Sequence, residues 1–106
     1  KQMFAGTSAG LFESSDGGFY WRRADGGRLG MSISSVAFLD ADGKRVLAAD
    51  KTSGGGYYSR DAGENWERIF SPEFESPIYC LAPDPRHPGR VYLGTRWEGV
   101  YRLSLP

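Results

Sequence analysis

The chain has few of the residues on which covalent cross-links and metal sites depend. Its 106 residues include one cysteine, Cys80, and one histidine, His87. A single cysteine excludes an internal disulfide and cannot form a zinc site without several other ligands. Cys80 lies in an apolar run, so we expect a thiol that is buried in the core. His87 lies in a proline-rich turn, which disfavours a Ser-His-Asp or metal-binding role.

The chain also lacks net charge and long apolar segments. Thirteen basic residues balance thirteen acidic ones, which removes the long-range attraction that nucleic acids and anionic membranes exploit. No apolar run approaches the roughly 20 residues that span a bilayer. We therefore expect no nucleic-acid partner and no membrane insertion. The hydrophobic fraction of 40% is sufficient for a folded core.

No segment shows the period of an amphipathic helix. Apolar residues instead fall in short runs, such as 3–7, 33–39 and 90–95, that are separated by glycine, proline and aspartate. Runs of this length between turn signals are typical of β-strands. The pattern predicts an all-β chain of ten short strands.

One stretch of the sequence occurs twice, 45 residues apart. Serine, aspartate, glycine and tryptophan recur in the same order and spacing, first in Ser14-Ser15-Asp16-Gly17-Gly18-Phe19-Tyr20-Trp21 and then in Ser59-Arg60-Asp61-Ala62-Gly63-Glu64-Asn65-Trp66. A fixed period of this size indicates stacked repeats of one supersecondary unit. Four strands, named A to D here, fit one period, and the shared stretch forms the turn between C and D.

These residue types suit a tight turn. Aspartate and serine side chains bond to backbone N–H groups without a ladder partner, and glycine reaches positive φ without steric cost. Tryptophan is large enough to fill the gap between neighbouring sheets. A paired-carboxylate site would need the two aspartates together, and one period separates them. We therefore interpret eight residues as structural: Ser14, Asp16, Gly18, Trp21, Ser59, Asp61, Gly63 and Trp66.

The motif Ser-x-Asp-x-Gly-x-x-Trp resembles the Asp-box, or bacterial neuraminidase repeat, of bacterial β-propellers. Residues 84–95 followed by Gly99-Val100-Tyr101 are similar to the segment that leads into each box. The resemblance covers essentially the whole chain. It implies blades of four antiparallel strands in an extracytoplasmic protein. We expect no cofactor and no metal, because the Asp-Gly-Gly segments lack the carboxylates of calcium loops and the lysine of phosphate loops.

The chain contains about two and a half such blades. We assign strands B, C and D of a first blade to 1–27, a complete second blade to 28–72, and strands A, B and C of a third to 73–106. A propeller has about four blades or more, and uncovered blade faces expose apolar surface. We therefore expect a fragment of a longer propeller or copies that complete a ring, with self-association of the isolated chain.

The resemblance implies that ligands bind at the end of the blades formed by the B–C and D–A loops. Our candidate binding residues lie in two B–C loops: Lys51 and Thr52 in one, and Arg96, Trp97 and Glu98 in the other. An exposed Trp97 with charged neighbours offers a platform for a sugar or another ligand. The alternative is that Trp97 packs on the rim of its own blade.

Two functions remain open. The first is a non-enzymatic propeller segment that serves as a structural, protein-binding or glycan-binding scaffold. The alternative is a fragment of a sialidase-like or xyloglucanase-like glycoside hydrolase whose catalytic residues lie mostly elsewhere. We assign no catalytic residue, because glycosidase carboxylates stand roughly 5–10 Å apart and no spacing pairs Glu73, Glu75 and Glu98. The Arg-Ile-Pro motif of sialidases is also missing.

Overall fold

The structure, a computed structural model of the chain, describes residues 2–24, 32–51, 55–69 and 77–106. These ranges contain ten β-strands: β1 (Met3–Thr7), β2 (Gly10–Ser14), β3 (Arg22–Arg23), β4 (Ile33–Phe38), β5 (Val46–Asp50), β6 (Gly56–Ser59), β7 (Glu67–Ile69), β8 (Ile78–Pro83), β9 (Arg90–Thr95) and β10 (Val100–Ser104). None of the described residues forms a helix that is long and apolar enough to cross a membrane.

The strands form three antiparallel sheets in which consecutive strands are neighbours. The first sheet is β1-β2-β3, the second is β4-β5-β6-β7 and the third is β8-β9-β10. The prediction of an all-β chain is confirmed, and the described residues form one four-stranded sheet and two three-stranded sheets. The predicted blade boundaries at 27/28 and 72/73 lie outside the described residues.

The first and second sheets pack face to face over an apolar core. Leu11 of β2 is buried against Ile33 and Ala48 of the second sheet. At the edge of this core, the Trp66 ring meets the Phe4 ring edge to face, with 5.9 Å between centroids. Trp66 therefore contacts a side chain of the neighbouring sheet.

The second and third sheets share another core. Leu47 and Tyr58 pack against Val91, which has no exposed surface. The Tyr58 hydroxyl also donates a 2.6 Å hydrogen bond to the Pro106 carbonyl. The segment that follows β10 is therefore held against the second sheet.

The prediction that Cys80 is a core thiol is wrong, because this side chain is exposed. Cys80 lies on β8, an edge strand of the third sheet. Its sulfur lies over Gly94, where an added Cβ would be only 2.5 Å from it. The apolar run correctly predicted a strand. It could not reveal that this face of the strand is left uncovered by the other sheets of the described residues.

Candidate functional site

The first repeated turn uses its polar side chains to bind its own backbone. The Ser14 hydroxyl donates to Asp16 at 2.8 Å and accepts from the Gly18 N–H at 3.0 Å. Asp16 accepts 3.1 Å hydrogen bonds from the N–H groups of Phe19 and Tyr20. The bond from Tyr20, followed by that from Ser14, holds the pKa of Asp16 below its usual value.

The second turn has the same arrangement one period later. Asp61 accepts 2.8 Å hydrogen bonds from the Asn65 side-chain amide and the Asn65 N–H, which together lower the pKa of the Asp61 carboxyl. Gly63 donates its N–H to the Ser59 hydroxyl at 2.8 Å, and the Trp66 indole donates to the Gly63 carbonyl at 3.0 Å. The structural role of these turns remains a prediction, which a stability measurement tests.

The opposite end of the sheets carries the loops that follow β1, β5 and β9. Because neighbouring strands are antiparallel, these loops lie at the same end as the starts of β4 and β8. The Lys51 N–H donates to the Ser32 carbonyl at 3.0 Å, and the Arg96 N–H donates to the Pro77 carbonyl at 3.1 Å. Two of the loops are therefore tied to residues that precede β4 and β8.

A pocket of about 450 Å³ opens at this loop end. Its lining comes from all three sheets: Gly6, Thr7, Ser8, Ser32, Ile33, Ser34, Lys51 and Tyr79. The Lys51 ammonium lies 5.4 Å from the centroid of the Tyr79 ring. The pocket combines an aromatic ring, a cation and several hydroxyl groups. These groups can contact the apolar face of a sugar and hydrogen-bond its hydroxyls.

The other predicted loop lies outside the lining of this pocket. Trp97 is 67% exposed, and the Arg96 guanidinium lies 5.4 Å from its ring centroid. Glu98 donates its N–H to the Thr95 hydroxyl at 3.0 Å and accepts from the Tyr101 hydroxyl at 3.3 Å. These bonds brace the loop that presents Trp97. Thr52, the remaining candidate, lies outside the described residues.

Tyr79 is a pocket residue that the sequence did not reveal. It lies inside the apolar run 78–82, which indicated only the interior of a strand. The pairing of β8 with β9 shifts register between Ile78 and Cys80, and Tyr79 is 42% exposed. The run itself contains no turn residue that signals this irregularity.

Asp50 is a second residue that the sequence analysis missed. It ends β5 at the loop end, is only 2% exposed, and lies 3.5 Å from the Tyr57 hydroxyl and 3.9 Å from the Arg68 guanidinium. In the other two sheets the corresponding residues are Thr7 and Thr95, whose hydroxyls close their loops on glycine carbonyls. A comparison of the sequence at the ends of these three strands would have identified Asp50 as a carboxylate where the other two strands have threonine.

No group of three or more histidine, cysteine, aspartate or glutamate side chains that could hold a metal ion is found within the described ranges. The described loop end presents hydroxyl groups, charged side chains and aromatic rings. These groups favour ligands that are recognised by stacking and hydrogen bonds.

Comparisons with known proteins place this geometry in context. No protein-family profile matches the chain. A xyloglucanase from Paenibacillus sp. is 31% identical over 100 residues, covering 80% of this chain and 10% of the relative. The GH74 xyloglucanase from Xanthomonas campestris is 29% identical, with a TM-score of 0.65 over 90% of this chain and 14% of that chain.

Two further crystal structures are similar in fold. An ancestral GH74 enzyme has a TM-score of 0.76 and 23% identity, over 95% of this chain and 15% of that chain. The GH74 enzyme of Niastella koreensis has a TM-score of 0.71 and 20% identity, over 97% of this chain and 18% of that chain. The chain thus spans less than a fifth of each relative. It is a partial β-propeller whose fold matches a segment of GH74 enzymes.

Proposed function

We propose that this chain is a segment of a β-propeller glycoside hydrolase and that its loop end binds a glucan of the xyloglucan type. The pocket in which the Lys51 ammonium lies against the Tyr79 ring carries the proposal. The named xyloglucanases add support, because the similarity covers 80% and 90% of the chain. They favour the glycoside hydrolase alternative over an unrelated scaffold.

In this proposal the segment binds saccharide and does not cleave it by itself. Asp50 is closed off from solvent at the loop end, whereas a glycosidase carboxylate must reach the scissile bond. Glu98 bonds to Tyr101 in its own loop, and Glu73 and Glu75 lie outside the described residues. The catalytic carboxylates then belong to other parts of the propeller.

We also propose that the two repeated turns are Asp-boxes that shape the blades at the end away from the ligand. The bonds from Ser14 to Asp16 and from Ser59 to Asp61, both 2.8 Å, support this assignment. An extracytoplasmic location, which the resemblance implies, remains a prediction.

Isothermal titration calorimetry with xyloglucan oligosaccharides tests the proposed binding. We expect Tyr79→Ala to raise the dissociation constant about tenfold or more, because it removes the aromatic face of the pocket. Trp97→Ala tests whether the exposed ring of the neighbouring loop extends the site. Tyr20→Ala is the matched control, because Tyr20 is 82% exposed at the opposite end.

The same preparations are assayed for release of reducing ends, which we expect to be undetectable for the wild-type chain. Equal affinity of Tyr79→Ala, Tyr20→Ala and the wild type would exclude the proposed pocket. If the wild-type chain releases reducing ends and Asp50→Asn does not, the proposal that the segment only binds saccharide is contradicted.

A further inference from the structure

The first strands of the second and third sheets carry the same irregularity one period apart. The pairing of β4 with β5 shifts register around Ser34, and the pairing of β8 with β9 shifts register around Tyr79. Ser34 and Tyr79 are 45 residues apart, which is also the spacing of the two repeated turns. A β-bulge adds one residue to a strand and redirects its side chain. The repeat therefore carries a bulge at this position in both sheets.

Both bulge residues line the pocket at the loop end. Tyr79 contributes an aromatic ring, whose centroid lies 5.4 Å from the Lys51 ammonium of the second sheet. The ring is therefore directed towards the second sheet. Ser34 contributes a hydroxyl group from that same sheet.

The Ser34 hydroxyl bonds to the backbone immediately before Tyr79. It donates a 2.5 Å hydrogen bond to the Ile78 carbonyl, whereas the Ala49 carbonyl lies farther away, at 3.5 Å. A hydroxyl group has one proton to donate, so the shorter contact is the bond that it makes. The Ile78 carbonyl and the Tyr79 N–H belong to one planar peptide group. A bond to this carbonyl therefore fixes the orientation of the peptide that leads into Tyr79.

We propose that Ser34 is a positioning residue that holds the Tyr79 ring in the orientation in which it stacks on a sugar. This role rests on the proposed saccharide binding and adds to it a residue that acts through Tyr79. The buried Ile78 side chain packs with Ala49 and Leu93, which anchors the start of the bulge. Loss of the Ser34 hydroxyl allows the peptide after Ile78 to rotate. The ring must then be ordered when the sugar binds, and this ordering lowers the affinity.

The neighbouring serine provides a matched control. The Ser35 hydroxyl accepts a 3.3 Å hydrogen bond from the Leu81 N–H, so it also links β4 to β8. This bond lies after Tyr79 in the chain, and Ser35 is absent from the lining of the pocket. Ser34→Ala and Ser35→Ala each remove one hydroxyl that links the two sheets, but only Ser34→Ala releases the peptide that leads into Tyr79.

A double-mutant cycle measured by isothermal titration calorimetry with xyloglucan oligosaccharides tests the proposal. We expect Ser34→Ala to raise the dissociation constant about threefold to tenfold, the effect of one lost hydrogen bond. In a chain that already carries Tyr79→Ala, the same substitution should have little further effect, because a positioning residue acts only through the ring that it positions. Ser35→Ala should bind as the wild type does.

Nuclear magnetic resonance of the ligand-free chain tests the positioning without a saccharide. We expect nuclear Overhauser effects between the Tyr79 ring and the Lys51 side chain in the wild type and in Ser35→Ala. These effects should weaken in Ser34→Ala. Ser34→Thr retains the hydroxyl group and should restore both the Overhauser effects and the affinity.

Overhauser effects or an affinity that Ser34→Ala leaves unchanged would overturn the proposal. An equal loss of affinity in Ser34→Ala and Ser35→Ala would also overturn it, as would an effect of Ser34→Ala that persists beside Tyr79→Ala. Equal affinity of the wild type and Tyr79→Ala would instead contradict the proposed saccharide site. The Overhauser effects then decide by themselves whether Ser34 positions the ring.

Discussion

Asp61 directs its carboxylate oxygens at groups of its own turn. Its oxygens accept hydrogen bonds from Ser59 and from two groups of Asn65, each at 2.8 Å. A catalytic or metal-binding carboxylate must direct its oxygens at a ligand, whereas these oxygens are directed at the turn. The residue types therefore predicted the chemistry of the turn, because each bond is local in sequence.

Replacement of this carboxylate measures its contribution. We expect Asp61→Ala to lower the free energy of unfolding by about 1–2 kcal/mol, because Ser59 and Asn65 lose a charged hydrogen-bond acceptor. Glu64→Ala, an exposed residue in the same turn, is the control and should have little effect. Chemical denaturation measures both, and equal stability of the two variants would contradict the structural role.

The same carboxylate makes stability depend on pH. The pKa of Asp61 lies below its usual value of 3.8 in the folded chain, chiefly because the Asn65 side chain bonds to it. The unfolded chain therefore binds this proton more readily, and the stabilisation is present above the unfolded pKa. It is lost as the pH falls through the folded pKa. Denaturation below about pH 4 should show a shallower acid loss for Asp61→Ala than for the wild type.

At the scale of strands and loops, local sequence patterns predicted where the strands lie better than which of their side chains are exposed. Short apolar runs between turn residues identified β4 and β9, because this pattern depends only on residues that are near in sequence. The exposure of Cys80 was misassigned and that of Tyr79 missed, because it depends on a register shift in β8 and on a sheet face that no other described sheet covers. Lys51 was predictable as a loop residue, but its contact with Tyr79 joins two sheets.

Two glycines one period apart separate turn strain from sheet contact. Gly18 and Gly63 have φ of 101° and 92°, so alanine is strained at both positions. An added Cβ at Gly63 would lie 2.7 Å from the Phe4 ring, whereas at Gly18 its nearest neighbour is Met3 at 3.5 Å. We expect Gly63→Ala to cost about 1–3 kcal/mol more than Gly18→Ala. If both variants have the same unfolding free energy, the Phe4 ring moves away from the added methyl group and the expected clash is contradicted.

At the scale of the whole molecule, the two repeated turns and the proposed binding pocket lie at opposite ends of the three sheets. The turns around Asp16 and Asp61 use their polar groups internally, whereas the loop end presents Lys51, Tyr79 and Trp97. The repeat placed both shared turns at one end, because antiparallel strands alternate direction, whereas the resemblance alone implied that ligands bind at the other end. It could not predict the ligand, because the pocket draws its lining from three sheets that are distant in sequence.

The most direct test of this separation is the melting temperature of three chains, each measured with and without xyloglucan oligosaccharide. Bound ligand raises the melting temperature only where the site is intact. We predict that Asp61→Ala melts earlier than the wild type but keeps the ligand-induced rise. Tyr79→Ala should melt close to the wild type and lose that rise. The reverse pattern, with the ligand effect lost in Asp61→Ala and retained in Tyr79→Ala, would contradict the separation.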